Sequence, residues 1–556
     1  MKRKNFWHIL IILVATVIAS RDLFKPGYFP MHDDLQVGRL YEMELCFLDR
    51  QIPCRWVPDL GYSYGYPLFN YYPPFPYYLG MIFRFLGFSF VDSVKILFIL
   101  GFLASTIFMY LLGKELWGED GGLVSAILYL FVPYHSVDVY VRGAMNEFWA
   151  MAFLPGIFWS ALLIVKEENN RNFRLWLSLF FSLLLLSHNL MTFLFAPAVT
   201  FFVLILVFFW KKNFFKKLID FFLSGIFGLG LAAFFTLPVI FEKKYVHIET
   251  MLMGYFNYLA HYVPISKMLF TRFWGYGSSG WLQDAGMPFQ VGFPHWPLAV
   301  LTFFSACILF FRKKIKFQDF IVFPFYFFLF TFSLFMVHLR SVFIWKILPL
   351  LSYLQFPWRF LTIVAFSASV LGGGIIFLLK SKRHQVFLST SLMVLIVVLN
   401  FSFFRAEKII KITDGEKLFS AKGWNKLQTD AIFDYLPIYA KAPPASPAPE
   451  KPEIETGEAQ ILEVMKGTDW YNFKTKVIQE ARIQIPIYDF PGWKVWVNGE
   501  LTRTTHDNHL GLITVNLLPG EYFIRAKLTN TPIRWIGNIV SLVSWLMLLI
   551  LFKKVK

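Results

Sequence analysis

Long apolar runs recur along most of the chain, and short polar or basic stretches separate them. A run of about 20 apolar residues can cross the hydrocarbon core of a bilayer as a helix. The pattern therefore predicts a polytopic α-helical membrane protein with about twelve spans. The predicted spans are 6–20, 93–113, 121–137, 147–165, 174–188, 190–210, 218–240, 295–311, 319–336, 360–379, 386–404 and 533–552.

One further apolar segment, Tyr72 to Phe88, is short, contains three prolines and carries Arg84. We predict that it lies in the membrane interface instead of crossing the bilayer. Both termini are then cytoplasmic, and basic clusters such as Lys211-Lys212 and Arg312-Lys313-Lys314 fall in inner loops, as the positive-inside tendency requires. On this topology residues 1–404 form the transmembrane domain in the cytoplasmic membrane, with long extracytoplasmic loops at 21–92 and 241–294.

The pattern changes after residue 404. Residues 405–530 contain no run long enough to span a membrane and are predicted to form an extracytoplasmic domain. A proline-rich linker at 442–452 precedes residues 459–530, where apolar and polar positions alternate as in β-strands. The Asn498-Gly499 pair predicts one hairpin, and 512–517 with 522–528 predict another. We expect a small antiparallel β-sandwich, followed at 531–556 by the final span and a basic tail.

The composition is that of a membrane protein: 56% of the 556 residues are hydrophobic, 20% are aromatic and 16% are charged. The net charge of +17 does not indicate nucleic-acid binding, because most basic clusters lie between apolar runs. Three cysteines are too few for a disulfide framework or a structural zinc site. Cys46 and Cys54 share the first outer loop and can form one bridge on an oxidising side, although no spacing rule requires it.

Two adjacent acids, Asp33 and Asp34, precede a segment, Leu35 to Arg50, with apolar residues at helical spacing. This places Asp34 near a helix N-cap, where backbone N–H groups favour the ionised carboxylate. The pair is either a helix cap or a pair of acids that serve a reaction at the outer membrane surface. A helix N-terminus also lowers a carboxylate pKa and weakens the group as a base. Hydroxyl orientation and capture of a divalent cation therefore stay open beside deprotonation.

Other ionisable residues collect at the same predicted face. Arg142 and Glu147 flank the start of a span, where a charge beside hydrocarbon is costly and favours a functional role over a simple ion pair. Arg359 follows Trp358 at the start of the tenth span. Its side chain either snorkels to the interface or grips a phosphate through its planar fork.

Two more outer residues are candidates for a site. His188 lies in a tight turn between the fifth and sixth spans, where it is equally well explained as a turn residue, and Arg340 lies in a later outer loop. The chain has no HExxH, GxSxG or Walker motif. A metalloprotease, a serine hydrolase of the common type and a P-loop NTPase are therefore not indicated.

Taken in order, these pieces resemble the C-type (GT-C) glycosyltransferase superfold. More closely, the chain resembles the bacterial YfhO-like multispan membrane proteins, which are related to the 6-pyruvoyl-tetrahydropterin-synthase-related group. The resemblance runs nearly end to end, although the loop 241–294 and the proline-rich linker match none of it. The matching motifs are His32-Asp33-Asp34, Gly65-Tyr-Pro-Leu-Phe-Asn-Tyr-Tyr-Pro-Pro74, Arg142-Gly-Ala-x-x-Glu147, Ser187-His-Asn189, Phe356-Pro-Trp-Arg-Phe360 and Pro491-Gly-Trp-Lys-Val-x-Val-Asn-Gly499.

The resemblance implies transfer of a sugar from a polyprenyl-phosphate carrier to an extracytoplasmic acceptor, which is a glycan, a lipid or a protein. Asp33 or Asp34 corresponds to the acid that GT-C enzymes keep in the first outer loop, and Glu147 is the third candidate catalytic acid. Arg142 or Arg359 would stabilise the negative charge of the leaving phosphate.

The remaining residues of the expected site bind substrate, and a metal is left open. The candidates for substrate binding are His32, Arg142, His188, Arg340, Trp358 and Arg359. If a divalent cation takes part, Asp33 and Asp34 would hold it. The alternatives are a transporter of lipid-linked glycans and a non-catalytic cell-envelope assembly protein. Transport is less favoured because the spans are nearly free of charge, whereas transporters place ionisable or broken segments near the bilayer midplane.

Overall fold

The computed structural model describes residues 2–210, 213–280, 286–430 and 432–554, with side chains from residue 6 onward. The predicted inner-loop cluster Lys211-Lys212 and residues 281–285 of the long outer loop lie outside the described residues. The α-helices are Lys2–Ala19, Gln36–Leu48, Leu68–Tyr71, Phe75–Phe85, Phe90–Leu130, Pro133–Ser136, Met145–Lys166, Arg171–Ser187, Thr192–Trp210, Phe214–Leu231, Ala233–Glu242, Ile265–Leu269, His295–Phe311, Phe317–Phe320, Val322–Val337, Val342–Ile347, Leu361–Phe377, Lys382–Asn400, Asp414–Phe419, Ala421–Thr429 and Pro532–Lys553.

A sharp reversal at Gly118 joins the second and third predicted spans. Helical structure extends over Phe90–Leu130, but Gly118 has φ 77° and ψ 177°, a conformation that residues with a side chain avoid. The two arms then pack closely, since a Cβ atom at Gly122 would lie 2.6 Å from the backbone nitrogen of Lys114. The two predicted spans are therefore the arms of a helical hairpin.

Each predicted span overlaps a helix, but twelve membrane crossings are not confirmed. Among the described residues, seven helices are long and apolar enough to cross a bilayer, or eight if one bent pair is a single span. That pair, Phe214–Leu231 and Ala233–Tyr245, bends by 82° where the sequence predicted one straight span at 218–240. The helices Phe6–Ala19 and His295–Phe311 are apolar but shorter.

The proline-rich segment of the first outer loop forms a short helix, Phe75–Phe85. At 1.5 Å per residue it is only about half as long as the hydrocarbon core is thick, so it is no span. Tyr77 and Met81 are buried, whereas Phe85 and Leu86 are exposed. This amphipathic character agrees with the predicted interfacial position.

Two helices that lead to the candidate site, Met145–Lys166 and Leu361–Phe377, lie in the middle of the bundle and are buried along almost their whole length. Both are apolar on all sides, as expected of helices surrounded by other helices. The glycine run Gly372-Gly-Gly374 permits this packing, because a Cβ atom at Gly373 would lie 2.4 Å from the carbonyl oxygen of Gly121. These glycines mark close helix contact, as in other membrane bundles.

The C-terminal domain contains an antiparallel sheet, as predicted. Asn498 and Gly499 both have positive φ values and join two of its strands in the predicted hairpin. The strands are β1 (Glu453–Lys466), β2 (Trp470–Tyr488), β3 (Trp493–Val497), β4 (Glu500–Thr502), β5 (Leu512–Leu517) and β6 (Gly520–Leu528).

The sheet differs from the predicted sandwich in two details. Within the described chain, the strands form one six-stranded sheet in the order β1-β2-β6-β3-β4, with β5 on β2. The second predicted hairpin is not formed, because β6 pairs with residues 470–477 of β2 and β5 pairs with residues 481–488. The physical reason is the length of β2, whose 19 residues accommodate both partners in succession.

Residues 405–452 connect the bundle with the sheet and pack on the first outer loop. The helix Asp414–Phe419 begins with a capping box formed by Thr413 and Glu416. The proline-rich linker contains no helix or strand, but it is held in place, since the N–H of Ala448 donates to the carbonyl of Tyr62 at 2.7 Å. The linker is thus an ordered part of the surface and not a free tether.

The chain leaves the sheet through the last helix, Pro532–Lys553, which packs against the bent helix pair. Arg534 Nε donates to Glu242 Oε2 at 2.9 Å, and both side chains are buried. Trp545 Nε1 donates to the carbonyl of Leu231 at 3.1 Å. These contacts fix the exit of the C-terminal domain to the bundle.

Candidate functional site

A cavity of about 790 Å³ lies at the end of the bundle where the predicted outer loops meet. Segments that are far apart in the sequence contribute to its wall. Its lining residues are His32, Asp33, Asp34, Leu35, Arg39, Tyr72, Pro73, Arg142, Ala144, Asn146, Glu147, His188, Asn189, Leu190, Met251, Tyr255, Phe256, Ser279, Met287, Gln355, Phe356, Trp358, Arg359, Lys426, Thr429, Asp430, Ile432, Phe433, Asp434 and Tyr435.

The acidic segment is fixed against the backbone of Arg142. The N–H of His32 donates to the carbonyl of Val141 at 3.0 Å, and the N–H of Asp33 donates to that of Arg142 at 2.8 Å. Gly143 permits this approach: it has φ 64°, and a Cβ atom there would lie 2.1 Å from the sulfur of Met31. The spacing between the first outer loop and Arg142 is therefore set by the main chain.

Asp33 does not cap the helix that follows it. The helix is Gln36–Leu48, its N-cap is Leu35, and no side chain caps it. Instead, Asp33 Oδ2 accepts from Arg39 Nη1 at 2.8 Å and from Gln36 Nε2 at 3.0 Å. Arg39 also donates to the hydroxyl of Tyr72 at 2.9 Å. Asp33 is thus a hydrogen-bond acceptor and ion-pair partner within a network of side chains.

Asp34 also departs from the predicted cap. Its Oδ2 lies 2.6 Å from Lys417 Nζ, on the helix Asp414–Phe419, and both side chains are largely shielded from solvent. Burial raises the pKa of the Asp34 carboxyl above its ordinary value, although the Lys417 ammonium opposes the shift. The predicted lowering of this pKa by a helix N-terminus is therefore wrong, because burial has the largest effect on the carboxyl and no side chain caps the helix.

Glu147 joins the two arginines that the sequence singled out. Its Oε2 accepts from Arg142 Nη2 at 2.8 Å and from Arg359 Nε at 3.1 Å, and its Oε1 accepts from the hydroxyl of Tyr134 at 2.6 Å. All three charged residues are at most 8% exposed. With both oxygens engaged, Glu147 is suited to holding the guanidinium groups in place and not to accepting a proton.

A second buried acid, Asp138, completes this cluster. Arg142 Nη1 forms an ion pair with Asp138, which is fully buried in the π-helical segment Val137–Arg142. Such π-helical turns are often found at functional sites. Two arginines and two carboxylates thus balance in charge, which lowers the cost of burying them.

Aromatic rings support the two guanidinium groups. The Arg142 guanidinium carbon lies 4.4 Å from the ring centre of Trp358, and Phe356 stacks on Trp358 with centroids 4.6 Å apart. Arg359 donates from Nη1 to the carbonyl of Leu354 at 2.7 Å. These contacts restrict both arginines, so that the donors facing the cavity are preorganised.

The two predicted histidines line the cavity, whereas Arg340 does not. His188 follows the helix Arg171–Ser187, lines the cavity, and its buried Nδ1 has no hydrogen-bond partner among the described residues. His32 lines the cavity and its Nε2 is bonded to the carbonyl of Tyr276 at 2.9 Å. Arg340 is exposed and is not among the residues that line the cavity.

Part of the cavity wall comes from residues that sequence reasoning did not select. The helix Ala421–Thr429 and the residues after it contribute Lys426, Asp430 and Asp434. This polar stretch has no motif, and only the packing of the C-terminal domain on the first outer loop brings it to the cavity. Asp138 was missed although a signal existed: it lies four residues before Arg142, which is the spacing of an ion pair along a helix.

The acids of the cavity do not fit a divalent cation in this arrangement. Within the described residues, no three His, Cys, Asp or Glu side chains are grouped as metal ligands. Asp33 and Asp34, the predicted ligands, face Arg39 and Lys417 instead of each other.

The Cys46 and Cys54 sulfurs form a disulfide bond in the first outer loop, which is the bridge that the sequence left open.

Comparison with known proteins then decides the family. Residues 69–406 match the model of the family described as "6-pyruvoyl-tetrahydropterin synthase related domain; membrane protein". The chain belongs to this family. An uncharacterized protein of Lactococcus lactis subsp. cremoris (strain MG1363) is 25% identical over 331 residues, which are 57% of this chain and 51% of that protein. The chain thus spans about half the length of this relative.

Distant likenesses to solved structures include three transferases. The archaeal oligosaccharyltransferase AglB from Archaeoglobus fulgidus, in complex with an inhibitory peptide and a dolichol-phosphate, has 14% identity and a TM-score of 0.40 over 72% of this chain and 56% of that chain. ArnT from Cupriavidus metallidurans bound to undecaprenyl phosphate has 11% identity and a TM-score of 0.39 over 71% and 64%. The mycobacterial arabinofuranosyltransferase AftD has 13% identity and a TM-score of 0.42 over 72% of this chain and 26% of that chain. At these TM-scores nothing about the site follows from the likeness.

Proposed function

We propose that this membrane protein is a glycosyltransferase that moves a sugar from a polyprenyl-phosphate-linked donor to an extracytoplasmic acceptor. The observation that carries the proposal is the composition of the cavity. Two anchored guanidinium groups and several carboxylates line the same cavity, at the end of an apolar helical bundle. A lipid-linked phosphosugar needs cations at its phosphate, and an acceptor hydroxyl needs an acid that orients or deprotonates it.

Arg142 and Arg359 are the proposed phosphate-binding groups. When the sugar leaves the phosphate, negative charge grows on the leaving oxygen, and preorganised cations in a water-poor site stabilise it. His188 lies on the same cavity wall and has a free ring nitrogen, so it is a third candidate contact for the donor. Glu147 and Asp138 then position the arginines.

We also propose that the cavity faces the extracytoplasmic side and that both termini are cytoplasmic. The cavity is lined by predicted outer loops, whereas Arg312-Lys313-Lys314 belongs to a predicted inner loop and is not part of its lining. The disulfide between Cys46 and Cys54 supports this orientation, because such bonds persist in oxidising compartments.

The first test of the function is donor binding. The full chain in nanodiscs would be titrated with undecaprenyl phosphate and, as a matched ligand without charge, with undecaprenol. We expect saturable binding of the phosphate, at least tenfold tighter than that of the alcohol, and a loss of this difference in Arg359→Ala. Equal binding of the two lipids would contradict the proposed phosphate site.

The second test is transfer. Undecaprenyl phosphates linked to radiolabelled glucose, galactose or N-acetylglucosamine would be incubated with the purified protein and envelope fractions. We expect label to move from the lipid to an acceptor with at least one donor. If the protein instead carries intact labelled lipid across proteoliposome membranes and transfers nothing, the transporter interpretation replaces this one.

A further inference from the structure

The carboxylates of the cavity differ in their partners. Asp33, Asp34 and Glu147 are each ion-paired, to Arg39, to Lys417 and to the two arginines respectively. Asp430 pairs with Lys426 at 2.5 Å. Asp434 also lines the cavity, but within the described residues its carboxylate has no ion pair and no hydrogen bond.

The main chain around Asp434 is held firmly although its carboxylate is free. The N–H of the next residue, Tyr435, donates to the hydroxyl of Tyr66 at 2.5 Å, and its ring stacks on Tyr71 with centroids 5.5 Å apart. Leu436, one residue further, is buried. An acid on a fixed backbone that opens into a cavity is suited to meet a bound substrate.

The charge environment of Asp434 favours a proton acceptor. Burial raises its pKa to about 7, the nearby Asp33 carboxylate adds to the rise, and the Arg39 guanidinium opposes it. A general base works best when its pKa is near the working pH. The titratable and charged groups that face it are Asp33, Arg39, Tyr66 and Tyr435.

We propose that Asp434 is the general base that accepts the proton of the acceptor hydroxyl. This inference rests on the proposed function. In the step, the hydroxyl proton passes to an oxygen of Asp434, and the freed oxygen forms a bond to the anomeric carbon of the sugar. The bond between that carbon and the phosphate oxygen breaks, and its electron pair leaves with the polyprenyl phosphate beside Arg142 and Arg359. Asp434 returns the proton to water after the product departs.

The assignment changes the roles of the paired acids in the first outer loop. Asp33 Oδ2 accepts from Arg39 and Asp34 Oδ2 is paired with Lys417, so the adjacent cations disfavour the protonated form of both carboxyls. Both are better suited to orient hydroxyl groups and to fix the wall that carries Asp434. The catalytic base would then come from the segment that follows the helical bundle.

The test compares Asp434→Asn, Asp434→Glu and Asp507→Asn in the full chain, with whichever radiolabelled donor is active. Asp507 is the matched control because its carboxylate is paired with Arg482 and it is not among the residues that line the cavity. We expect Asp434→Asn to lose at least 100-fold in kcat/KM, and its pH–rate profile to lose the fall in rate below about pH 7 that protonation of Asp434 causes in the parent. Asp434→Glu should recover part of the rate, and Asp507→Asn should stay within threefold of the parent.

Binding of undecaprenyl phosphate separates a chemical role from misfolding. Asp434→Asn should bind this lipid as the parent does, because the charged neighbours of Asp434 are Asp33 and Arg39 and not the proposed phosphate-binding arginines Arg142 and Arg359. If Asp434→Asn retains the rate and the acidic limb, the assignment of the base is wrong while the proposed function stands. A parent protein that transfers no sugar from any donor would overturn the function and the assignment together.

Discussion

Two groups of charged residues that line the cavity are built in different ways. In the arginine cluster, Arg142 and Arg359 are both hydrogen-bonded to the buried carboxylate of Glu147. In the acidic pair, Asp33 and Asp34 come from a loop; Asp33 is paired with Arg39 on the helix that follows it, and Asp34 with the distant Lys417. The first group is a closed network inside the bundle, whereas the second depends in part on docking of the helix Asp414–Phe419.

This difference determines whether a substitution affects mainly the stability of the fold or mainly the reaction. A buried ion network needs every member, since removing one charge leaves another unpaired. An acid at a docked surface costs less to change, because solvent and mobile side chains can compensate. We therefore expect substitutions in the arginine cluster to affect folding and binding together, and those in the acidic pair to affect chemistry more than folding.

The largest effect is expected at Glu147. Glu147→Gln leaves Arg142 and Arg359 buried without their shared carboxylate, and should lower the free energy of unfolding by about 3–5 kcal/mol. Thermal unfolding in detergent would measure this loss. The matched control is Glu115→Gln, which breaks the more exposed pair with Lys166 and should cost less than about 1 kcal/mol. Equal losses of unfolding free energy in Glu147→Gln and Glu115→Gln would contradict the idea that the buried network depends on each of its members.

The second-largest effect is expected for substitutions of Arg142 and Arg359. Arg142→Lys and Arg359→Lys keep the charge but lose the planar fork, so binding of undecaprenyl phosphate should weaken by about tenfold or more. Arg340→Lys, at an exposed position outside the cavity lining, should bind like the parent. If Arg340→Lys weakens binding as much, the cavity is not where the phosphate binds.

A smaller effect is expected for the docking contact between Asp34 and Lys417. A double-mutant cycle with Asp34→Asn and Lys417→Met should give a coupling of about 1 kcal/mol in the free energy of unfolding. Additive losses would show that the ion pair does not hold the segment in place.

The smallest effect is a change in the pH dependence of stability. The pKa of Asp434 is raised to about 7 in the fold, so the fold loses stability as the pH rises from about 4, where the carboxyl ionises in the unfolded chain, to about 7. Asp434→Asn removes this penalty, and its Tm should exceed that of the parent by about 1–2 °C at pH 8. The advantage should disappear at pH 4, where the carboxyl is protonated in the fold. A constant difference across pH would contradict the raised pKa.

The helical bundle was largely predictable, because apolar runs and basic clusters report on the membrane directly. The gathering of Asp33, Arg142, Glu147 and Arg359 at one end also followed from topology. The ion-pair partners of these residues could not be predicted in the same way. Asp34 contacts Lys417, which lies more than 380 residues later in the sequence, and no local pattern encodes that contact.

Two other features were not predicted correctly, and the causes are local. Asp434 lies in a polar stretch without periodicity. Its place in the cavity depends on the stacking of Tyr435 on Tyr71, which no sequence pattern indicates. The second β-hairpin was predicted because residues 512–528 look like two strands around a Pro-Gly turn. The exceptional length of β2 gave each of those strands a separate partner.

The last helix, Pro532–Lys553, limits how the sheet can move. It returns the chain to the bundle, where the buried ion pair of Arg534 with Glu242 holds it. The sheet is consequently attached to the rest of the protein at both of its ends. It cannot rotate as a rigid body about a single hinge without breaking that ion pair.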